Sequence, residues 1–182
     1  MHGILPTTVD TVPAREHPEL LAEPVTAALA ELPADLELQA FPIDPELADT
    51  QALTDALGLS LEHSANCVLV AGSRAGEERT AACIVLATTK ADVNKRVKKL
   101  LDVRKCSFMP MDRATGESGM EYGGIGPIGL PADWRILVDS RVVAQPAVVI
   151  GSGIRASKIV LSGADLGRLP GVEVVEDLAI EV

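Results

Sequence analysis

The first sixty residues show two kinds of hydrophobic pattern. Near residues 16–32 and 45–57, apolar positions recur at helical spacing in stretches that prolines interrupt. Between them, residues 36–41 alternate apolar and polar side chains, which is typical of a strand. The pattern therefore predicts two helical stretches separated by one strand.

The middle of the chain changes character. Residues 67–71 and 81–87 are short apolar runs, and the turn-rich residues 72–78 join them, which predicts a β-hairpin. Residues 91–101 follow with the period of an amphipathic helix. Its apolar face carries Val93, Val97, Leu100 and Leu101. We therefore expect a hairpin followed by a helix whose lysines point away from that apolar face.

The last third of the chain predicts short elements around a glycine-rich loop. A short helix is expected at residues 112–118, before that loop. After the loop, the pattern predicts strands at 135–138, 142–150, 158–161 and 172–175, and a short helix at 164–169. Because short strands are interspersed with helices without regular βαβ alternation, we predict a mixed α/β (α+β) sheet or a partly closed barrel rather than a doubly wound parallel fold.

Length and composition favour one soluble domain. The chain has 182 residues, 47% of them hydrophobic, and no apolar run near membrane-spanning length. It shows neither an internal repeat nor a low-complexity linker, so we expect residues 1–182 to form a single domain, with residues 1–60 as its acidic, helical N-terminal part. Residues 1–6 have neither a basic start nor a long apolar stretch, so no secretory signal is visible and the cytoplasm is the expected location.

The three cysteines are odd in number and widely spaced, which fits neither a disulfide framework nor a Cys-x-x-Cys zinc site. Cys83 and Cys106 are expected to be buried core thiols. Cys67 is interpreted as a buried strand cysteine, with a nucleophile as the alternative that its neighbour His63 leaves open. Since no His/Cys/Asp cluster has metal-ligand spacing, we expect no metal and no cofactor.

The charge is distributed unevenly. The net charge is −10, and Arg15 is the only Lys or Arg among residues 1–64. Eight of the 16 basic residues lie between positions 90 and 113: Lys90, Lys95, Arg96, Lys98, Lys99, Arg104, Lys105 and Arg113. Such a patch can contact phosphates while the rest of the surface repels them, and the alternative is a solvated helix face. Aromatic residues, 2% of the chain, are too few for the stacking platforms of single-strand binders.

Residues 123–131 contain four glycines and two prolines. Glycine lets another molecule approach the backbone closely, and proline fixes φ and removes a donor. The segment therefore predicts a shaped loop that presents main-chain N–H and C=O groups as the floor of a pocket. A tight connection between two strands, without a ligand, is the alternative.

Five blocks occur in an order that resembles one known family. They are residues 66–70 (Asn-Cys-Val-Leu-Val), the lysine-rich helix, the glycine loop at 123–131, residues 137–139 (Leu-Val-Asp) and residues 153–159 (Gly-Ile-Arg-Ala-Ser-Lys-Ile). Over residues 60–182 the chain resembles the YbaK/ProX family of aminoacyl-tRNA editing domains. The resemblance implies a mixed fold around a curved, mostly antiparallel sheet flanked by helices, and deacylase activity in trans on a wrongly acylated tRNA.

The resemblance, for the glycine loop and the turn at Gly153, and the residue types themselves, for the others, give a set of expected site residues. Asn66 and the loop residues Gly123, Gly124, Gly126 and Pro127 are expected to form the catalytic part. Substrate-binding residues are expected to be Cys67, Tyr122, Ile125, Asp139, Gly153 and Arg155, with the turn at Gly153 closing the same pocket. Asp139 is expected either to orient a water or to cap a turn. Lys95, Lys98 and Lys99 are expected to meet tRNA phosphates.

One departure from the family leaves two functions open. Active members carry a lysine where this chain has Asn66, and asparagine supplies hydrogen bonds but no positive charge. The first function is a trans-acting protein that hydrolyses the ester of a mischarged tRNA carrying a small amino acid, with tRNA(Pro) as a candidate. The alternative is a non-catalytic member that binds an aminoacyl or nucleotide-like ligand or a synthetase. The expected partners are aminoacyl-tRNA and an aminoacyl-tRNA synthetase, and neither a membrane nor DNA.

Overall fold

A computed structural model describes residues 3–182; positions 1 and 2, the start of the N-terminal segment and the position of His2, lie outside the described residues. The strands are β1 (Val12–Pro13), β2 (Gln39–Pro42), β3 (Ala65–Arg74), β4 (Glu77–Leu86), β5 (Thr89–Ala91), β6 (Lys105–Phe108), β7 (Arg135–Asp139), β8 (Val148–Gly151), β9 (Ser157–Leu161), β10 (Val172–Val175) and β11 (Ala179–Glu181). The α-helices are α1 (Glu23–Glu31), α2 (Thr50–Leu57), α3 (Lys98–Leu100), α4 (Met111–Ser118), α5 (Ser140–Val143) and α6 (Gly163–Gly167). From residue 3 to the C-terminus, no helix is long and apolar enough to cross a bilayer.

The strands form three sheets. The four-stranded sheet has the order β1-β2-β9-β8 and is antiparallel throughout. The five-stranded sheet has the order β10-β7-β4-β3-β6, with parallel pairs at β10-β7 and β7-β4. Strands β5 and β11 form a small antiparallel pair. No closed barrel forms within residues 3–182, and the predicted mixed α/β fold is confirmed.

Strand β4 divides the core because neighbouring side chains of a strand point to opposite faces. Ile84 packs into the larger core, which also buries Val25 and Leu29 of α1. Cys83 points the other way, into a second core that Val97 covers. Alternation thus explains why the whole second half of β4 is apolar: the strand is buried on both faces.

The two large sheets meet near the start of β3. Ser64, just before β3, forms a parallel bridge with Val149 of β8. A third apolar cluster, which includes Phe41 of β2 and Leu53 of α2, fixes α2 on the four-stranded sheet. The N-terminal strands β1 and β2 therefore share a sheet with β8 and β9 from the C-terminal part.

Several predicted elements are confirmed with changed bounds. The hairpin is longer than its apolar runs, since β3 and β4 pair from Ala65 opposite Leu86 to Arg74 opposite Glu77. Its turn is only Ala75 and Gly76, both with positive φ. The first helical stretch is helix α1 preceded by two 3₁₀ turns, because prolines interrupt it.

Other predictions were wrong or only partly confirmed. Residues 142–150 do not form one strand, because Asp139 caps helix α5 and only Val148–Gly151 pairs in a sheet. The helix expected over residues 91–101 is a π-helical turn, Val93–Val97, followed by the short α3. Cys83 is buried as predicted, whereas Cys106 is half-buried, because it lies on β6, an edge strand that the sequence pattern did not reveal.

Candidate active site

A cavity of about 650 Å³ lies where the start of β3 meets strands β8 and β9. One side is formed by Glu46 and by residues 48–51, which include the N-terminus of α2, and the other by Tyr122 with Gly123 and Ile125 of the glycine loop. Apolar walls come from Ile125, Val149 and Leu53. The cavity is open to solvent along one side, where Tyr122 is 57% exposed.

Two cationic side chains tie the two sides of this cavity together. Arg155 donates from Nη1 to the Tyr122 carbonyl at 3.0 Å and from Nη2 to the Pro45 carbonyl at 2.9 Å. Lys158 of β9 donates from Nζ to the Ala48 carbonyl at 3.0 Å and to the Gly123 carbonyl at 3.2 Å. We call these four contacts the cationic clamp. The clamp joins residues 45–48 to residues 122–123 and so sets the width of the cavity.

Lys158 is buried within this clamp, with only 6% of its surface exposed. Desolvation lowers the pKa of its ammonium group to about 8; the charge of Asp49 opposes this shift and that of Arg155 adds to it. The group therefore remains largely protonated at neutral pH. An ammonium has three donors, and two of them bind the Ala48 and Gly123 carbonyls. The third has no acceptor within residues 3–182.

Two further polar side chains reach the cavity from the start of β3. The Asn66 carbonyl oxygen accepts a hydrogen bond from the Thr50 hydroxyl at 2.7 Å, which leaves the amide N–H groups available to a ligand. Ser64 is 3% exposed, and its hydroxyl makes no hydrogen bond within the part of the chain that the structure describes. Because a buried polar group without a partner costs free energy, Ser64 marks a position where a ligand can supply that partner.

Cys67 lines the same cavity but is poorly suited to nucleophilic attack. Burial raises the pKa of its thiol well above the ordinary value, and the neighbouring Cys83 adds to that rise. The thiol therefore stays protonated, and a protonated thiol is a weak nucleophile. His63 does not line the cavity. Cys67 lies in strand β3 as predicted but is half-buried rather than buried, and the structure favours this strand cysteine over a Cys–His mechanism.

The glycines of the loop serve mainly to let two turns interlock. A Cβ atom on Gly126 would lie 2.2 Å from the carbonyl oxygen of Gly151, so only glycine fits there. The Gly153 amide donates to the Gly124 carbonyl at 2.7 Å, and the Glu121 amide donates to the Gly153 carbonyl at 2.8 Å. The two glycine turns predicted from the sequence therefore form one rigid unit behind the cavity.

The structure brings six of the predicted site residues to the cavity wall. They are Asn66, Cys67, Tyr122, Gly123, Ile125 and Arg155. Four others are in the interlocked turns behind that wall: Gly124, Gly126, Pro127 and Gly153. Sequence reasoning missed Lys158 and Ser64. The only signal in the sequence was a lysine at the start of an otherwise apolar strand and a serine just before another.

The structure places Asp139 away from the cavity. Its side chain is 1% exposed, accepts hydrogen bonds from the Arg141 side chain and backbone, and accepts another from the Ala179 amide. Burial alone would raise the pKa of this carboxyl, but these hydrogen bonds lower it overall. Of the two roles expected for Asp139, the structure shows the cap, which fixes α5 and β11.

The lysines at 95, 98 and 99 lie outside the cavity. Val93 and Val97 of the π-helical turn pack into the second core, which leaves Lys95 and Lys99 exposed and Lys98 half-buried on the outer side. None of the three forms an ion pair with a carboxylate among residues 3–182. We call these three residues the lysine patch.

Comparisons with known proteins show the family and the fold of this chain. The family model of the aminoacyl-tRNA editing domain matches residues 44–169. One similar crystal structure is that of a protein proposed to be a trans-editing enzyme for prolyl-tRNA synthetase; its TM-score is 0.67 at 16% identity, with 80% of this chain and 87% of that chain covered. Another is a hypothetical protein, APE2540, with a TM-score of 0.65 at 19% identity, covering 76% of this chain and 86% of that chain. At these identities the two structures show a shared fold.

Proposed function

Because this chain belongs to the aminoacyl-tRNA editing domain family, we propose that it hydrolyses, in trans, the ester that joins a small amino acid to a mischarged tRNA. The observation that carries the proposal is the cavity, which combines a main-chain wall at Gly123 with hydrogen-bond donors from Asn66 and Lys158. We further propose tRNA(Pro) as the candidate tRNA.

The chemistry of an aminoacyl ester suits such a site. The ester is already activated, so holding it beside a water and stabilising the charge on the carbonyl oxygen supplies much of the rate. Asn66 offers amide N–H groups to the carbonyl or to the terminal ribose, and Gly123 lines the wall opposite the segment that begins at residue 45. The residues that shape the wall from behind, Gly124, Gly126, Pro127 and Gly153, position these groups without touching the substrate.

The size of the cavity supports a small amino acid. A volume of about 650 Å³ is in the range of small-molecule sites and has to hold the terminal adenosine as well as the amino acid. The apolar part of the lining, which includes Leu53, Ile125 and Val149, is aliphatic and suits a small side chain. Ala, Ser and Cys esters are therefore the substrates that we propose to test.

The lysine patch supports docking of the tRNA. Lys95, Lys98 and Lys99 project from one short helical segment and carry no ion pair within the described residues. Unpaired lysines on an otherwise acidic protein bind phosphates without reading sequence. We propose that they contact the tRNA backbone while the acylated end enters the cavity, and that a synthetase that releases mischarged tRNA is a further partner.

A deacylation assay tests the proposal. Purified protein, free of metal, is incubated with Ala-, Ser- and Cys-tRNA(Pro), and ester hydrolysis is followed over the spontaneous rate. Gly123→Ala is the informative variant, because Gly123 has φ +83° and a Cβ atom would lie 2.9 Å from Arg155 Nη1. Gly116→Ala in α4 is the matched control, since its Cβ would meet nothing within 4 Å.

We expect hydrolysis of one or two of these esters by the natural chain and by Gly116→Ala, and at least a tenfold lower rate with Gly123→Ala. Absence of hydrolysis with every ester, together with measurable tRNA binding, would instead support the non-catalytic alternative. That alternative is favoured by one observation, the neutral Asn66 at the position where active family members carry a lysine.

A further inference from the structure

We propose that Lys158 is a catalytic residue of this cavity and that its ammonium group donates its third N–H to the carbonyl oxygen of the aminoacyl ester. The proposal rests on the proposed deacylation and names the group that stabilises its transition state. It also assigns the positive charge of the site to strand β9 rather than to strand β3, where Asn66 is neutral.

The first argument is the position of the ammonium group. Lys158 lines the cavity, is nearly fully buried, and is fixed by two main-chain carbonyls, those of Ala48 and Gly123. Two contacts orient the group and leave one donor. A donor that is held in place before the substrate arrives needs no reorganisation when negative charge develops, which is what makes such groups effective in catalysis.

The second argument is that the other cation of the cavity is already bound to two carbonyls and is more exposed to water. The terminal nitrogens of Arg155 bind the Tyr122 and Pro45 carbonyls, and its backbone amide donates to the Glu121 carboxylate at 2.8 Å. Arg155 is also more exposed than Lys158, so water screens its charge more strongly. Lys158 is therefore the better source of a localised positive charge.

The third argument is the unpartnered hydroxyl of Ser64. This buried group lines the same cavity and has no hydrogen-bond partner within residues 3–182. A residue of the lining thus carries a buried hydroxyl that the described part of the chain leaves without a partner, which supports a polar ligand at this cavity on a ground separate from Lys158. The ribose of the terminal adenosine, with its free hydroxyl, provides a partner of suitable chemistry.

The hydrolysis that this geometry supports is balanced without any further reagent. The oxygen of a water molecule bonds to the ester carbonyl carbon, and the π electrons of the carbonyl move to its oxygen, where Lys158 donates its hydrogen bond. Collapse of the tetrahedral intermediate breaks the bond between that carbon and the ribose oxygen. One proton of the water ends on the ribose oxygen and the other enters solvent, which leaves the free amino acid as a carboxylate. Lys158 keeps its proton throughout.

The proton on Lys158 gives the role a pH signature. The charged groups around it are Asp49 and Glu46 on one side of the cavity and Arg155 on the other, and Tyr122 and Cys67 are the remaining titratable side chains of the lining. The neutral amine keeps only two N–H groups, which the Ala48 and Gly123 carbonyls occupy, and it carries no charge. Since its pKa is about 8, the enzyme-dependent rate falls as pH rises through that value. An arginine at this position stays charged and removes that fall.

The test uses the full chain with Lys158→Met, Lys158→Arg and a control, Arg168→Met. Arg168 is exposed on the far end of the fold, contacts only Asp35 and Asp165, and does not line the cavity. Single-turnover hydrolysis is measured from pH 6 to 8.5 after subtraction of the spontaneous rate. Binding of 3′-alanylamido-3′-deoxyadenosine, whose amide cannot be cleaved by ester hydrolysis, is measured by calorimetry, and the melting temperature of each variant is recorded.

We expect Lys158→Met to lower the single-turnover rate about 100-fold at pH 7 while lowering affinity for the amide analogue about tenfold at most, because the charge on the oxygen develops only in the transition state. Lys158→Arg should recover part of the rate without the fall near pH 8. Arg168→Met should stay within twofold of the natural chain in every measurement.

Two results would overturn the role of Lys158 while leaving deacylation intact. One is a folded Lys158→Met that hydrolyses within threefold of the natural rate. The other is a loss of rate that equals the loss of analogue affinity and follows a fall in melting temperature, as expected if the lysine only holds the clamp. If the natural chain hydrolyses no ester, the proposed function fails. In that case, binding of the amide analogue tests the role of Lys158. If the natural chain and Lys158→Met bind the analogue with equal affinity, Lys158 does not contact the carbonyl oxygen.

Discussion

The protein carries two groups of cations that differ in almost every physical respect. Lys158 and Arg155 lie in or beside the cavity and bind main-chain carbonyls on both of its sides. Lys95, Lys98 and Lys99 project from one short segment and bind no carboxylate among residues 3–182. The first group is held by hydrogen bonds, with Lys158 buried and Arg155 half-buried, whereas Lys95 and Lys99 of the second group are exposed to solvent.

The difference shows how one chain separates two tasks that both need positive charge. A buried ammonium at a fixed position acts on one atom of a substrate and is little affected by salt. Exposed lysines act on a polyanion through counterion release, so their contribution falls steeply with salt. Mutations in the two groups should therefore change different quantities, the rate for the cavity and the affinity for the patch.

The largest effect is expected in the pH dependence of stability. The pKa of Lys158 is about 8 in the folded chain and about 10.5, the ordinary value for a lysine, in the unfolded chain, so between these values the unfolded state binds more protons and stability rises with pH. The gain amounts to about 3 kcal/mol when both states are deprotonated. Urea unfolding of the natural chain and of Lys158→Met at pH 7 and pH 10 should show this gain only with the lysine present. An equal pH response of both proteins would contradict the burial of a charged lysine.

Charge reversal of the patch should have the next largest effect. Changing Lys95, Lys98 and Lys99 to Glu together should weaken tRNA binding about tenfold at low salt and lower the slope of log affinity against log salt by about two to three. The single-turnover rate at saturation should remain unchanged, because the cavity is untouched. Arg168→Glu, a charge reversal outside the patch, serves as the control. If the affinity for tRNA and its dependence on salt are both unchanged by the charge reversal, the lysine patch does not bind tRNA.

Removing Arg155, the more exposed cation of the clamp, should have a smaller effect on stability and on KM. Arg155→Met eliminates the hydrogen bonds to the Tyr122 and Pro45 carbonyls but leaves Lys158 in place. We expect a loss of about 1 kcal/mol in the free energy of unfolding, since the guanidinium is only half-buried, and a KM three to five times higher because the cavity widens. Chemical denaturation and steady-state deacylation measure the two quantities. An unchanged KM would show that the cavity keeps its width without Arg155.

The smallest effect is expected at Cys67. Because burial raises the pKa of its thiol, Cys67→Ala should leave the single-turnover rate within twofold, and iodoacetamide should modify the natural chain at Cys67 slowly at pH 7. Rates of hydrolysis and of alkylation, the latter followed by mass spectrometry of the peptide, test this directly. A hundredfold lower single-turnover rate in Cys67→Ala would instead indicate that the thiol is a nucleophile, and it would argue against the catalytic role of Lys158.

Part of the site was open to prediction because its signal is local. The glycine and proline spacing at 123–131 predicts a shaped loop from the conformational properties of those residues alone, and Gly123, Tyr122 and Ile125 do line the cavity. Gly124 and Gly126, behind the cavity wall, have a different role, because they allow close contact with the turn at residues 151–154. Such a contact depends on residues that lie about 25 positions away in the chain. A glycine motif therefore predicts a close approach but not which molecule approaches.

The sequence by itself determined the mixed α/β class, the presence of the hairpin and the glycine loop, because period-two alternation, turn residues and backbone freedom act over a few neighbouring positions. Only the tertiary structure decided that Lys158, at the start of an apolar strand, lies buried against residues 45–48 while Asp139 faces α5 and β11. The direction of a strand side chain depends on which strands flank it and which loop covers it. Lys158 faces Ala48, 110 residues earlier in the chain, and no local pattern encodes that distance.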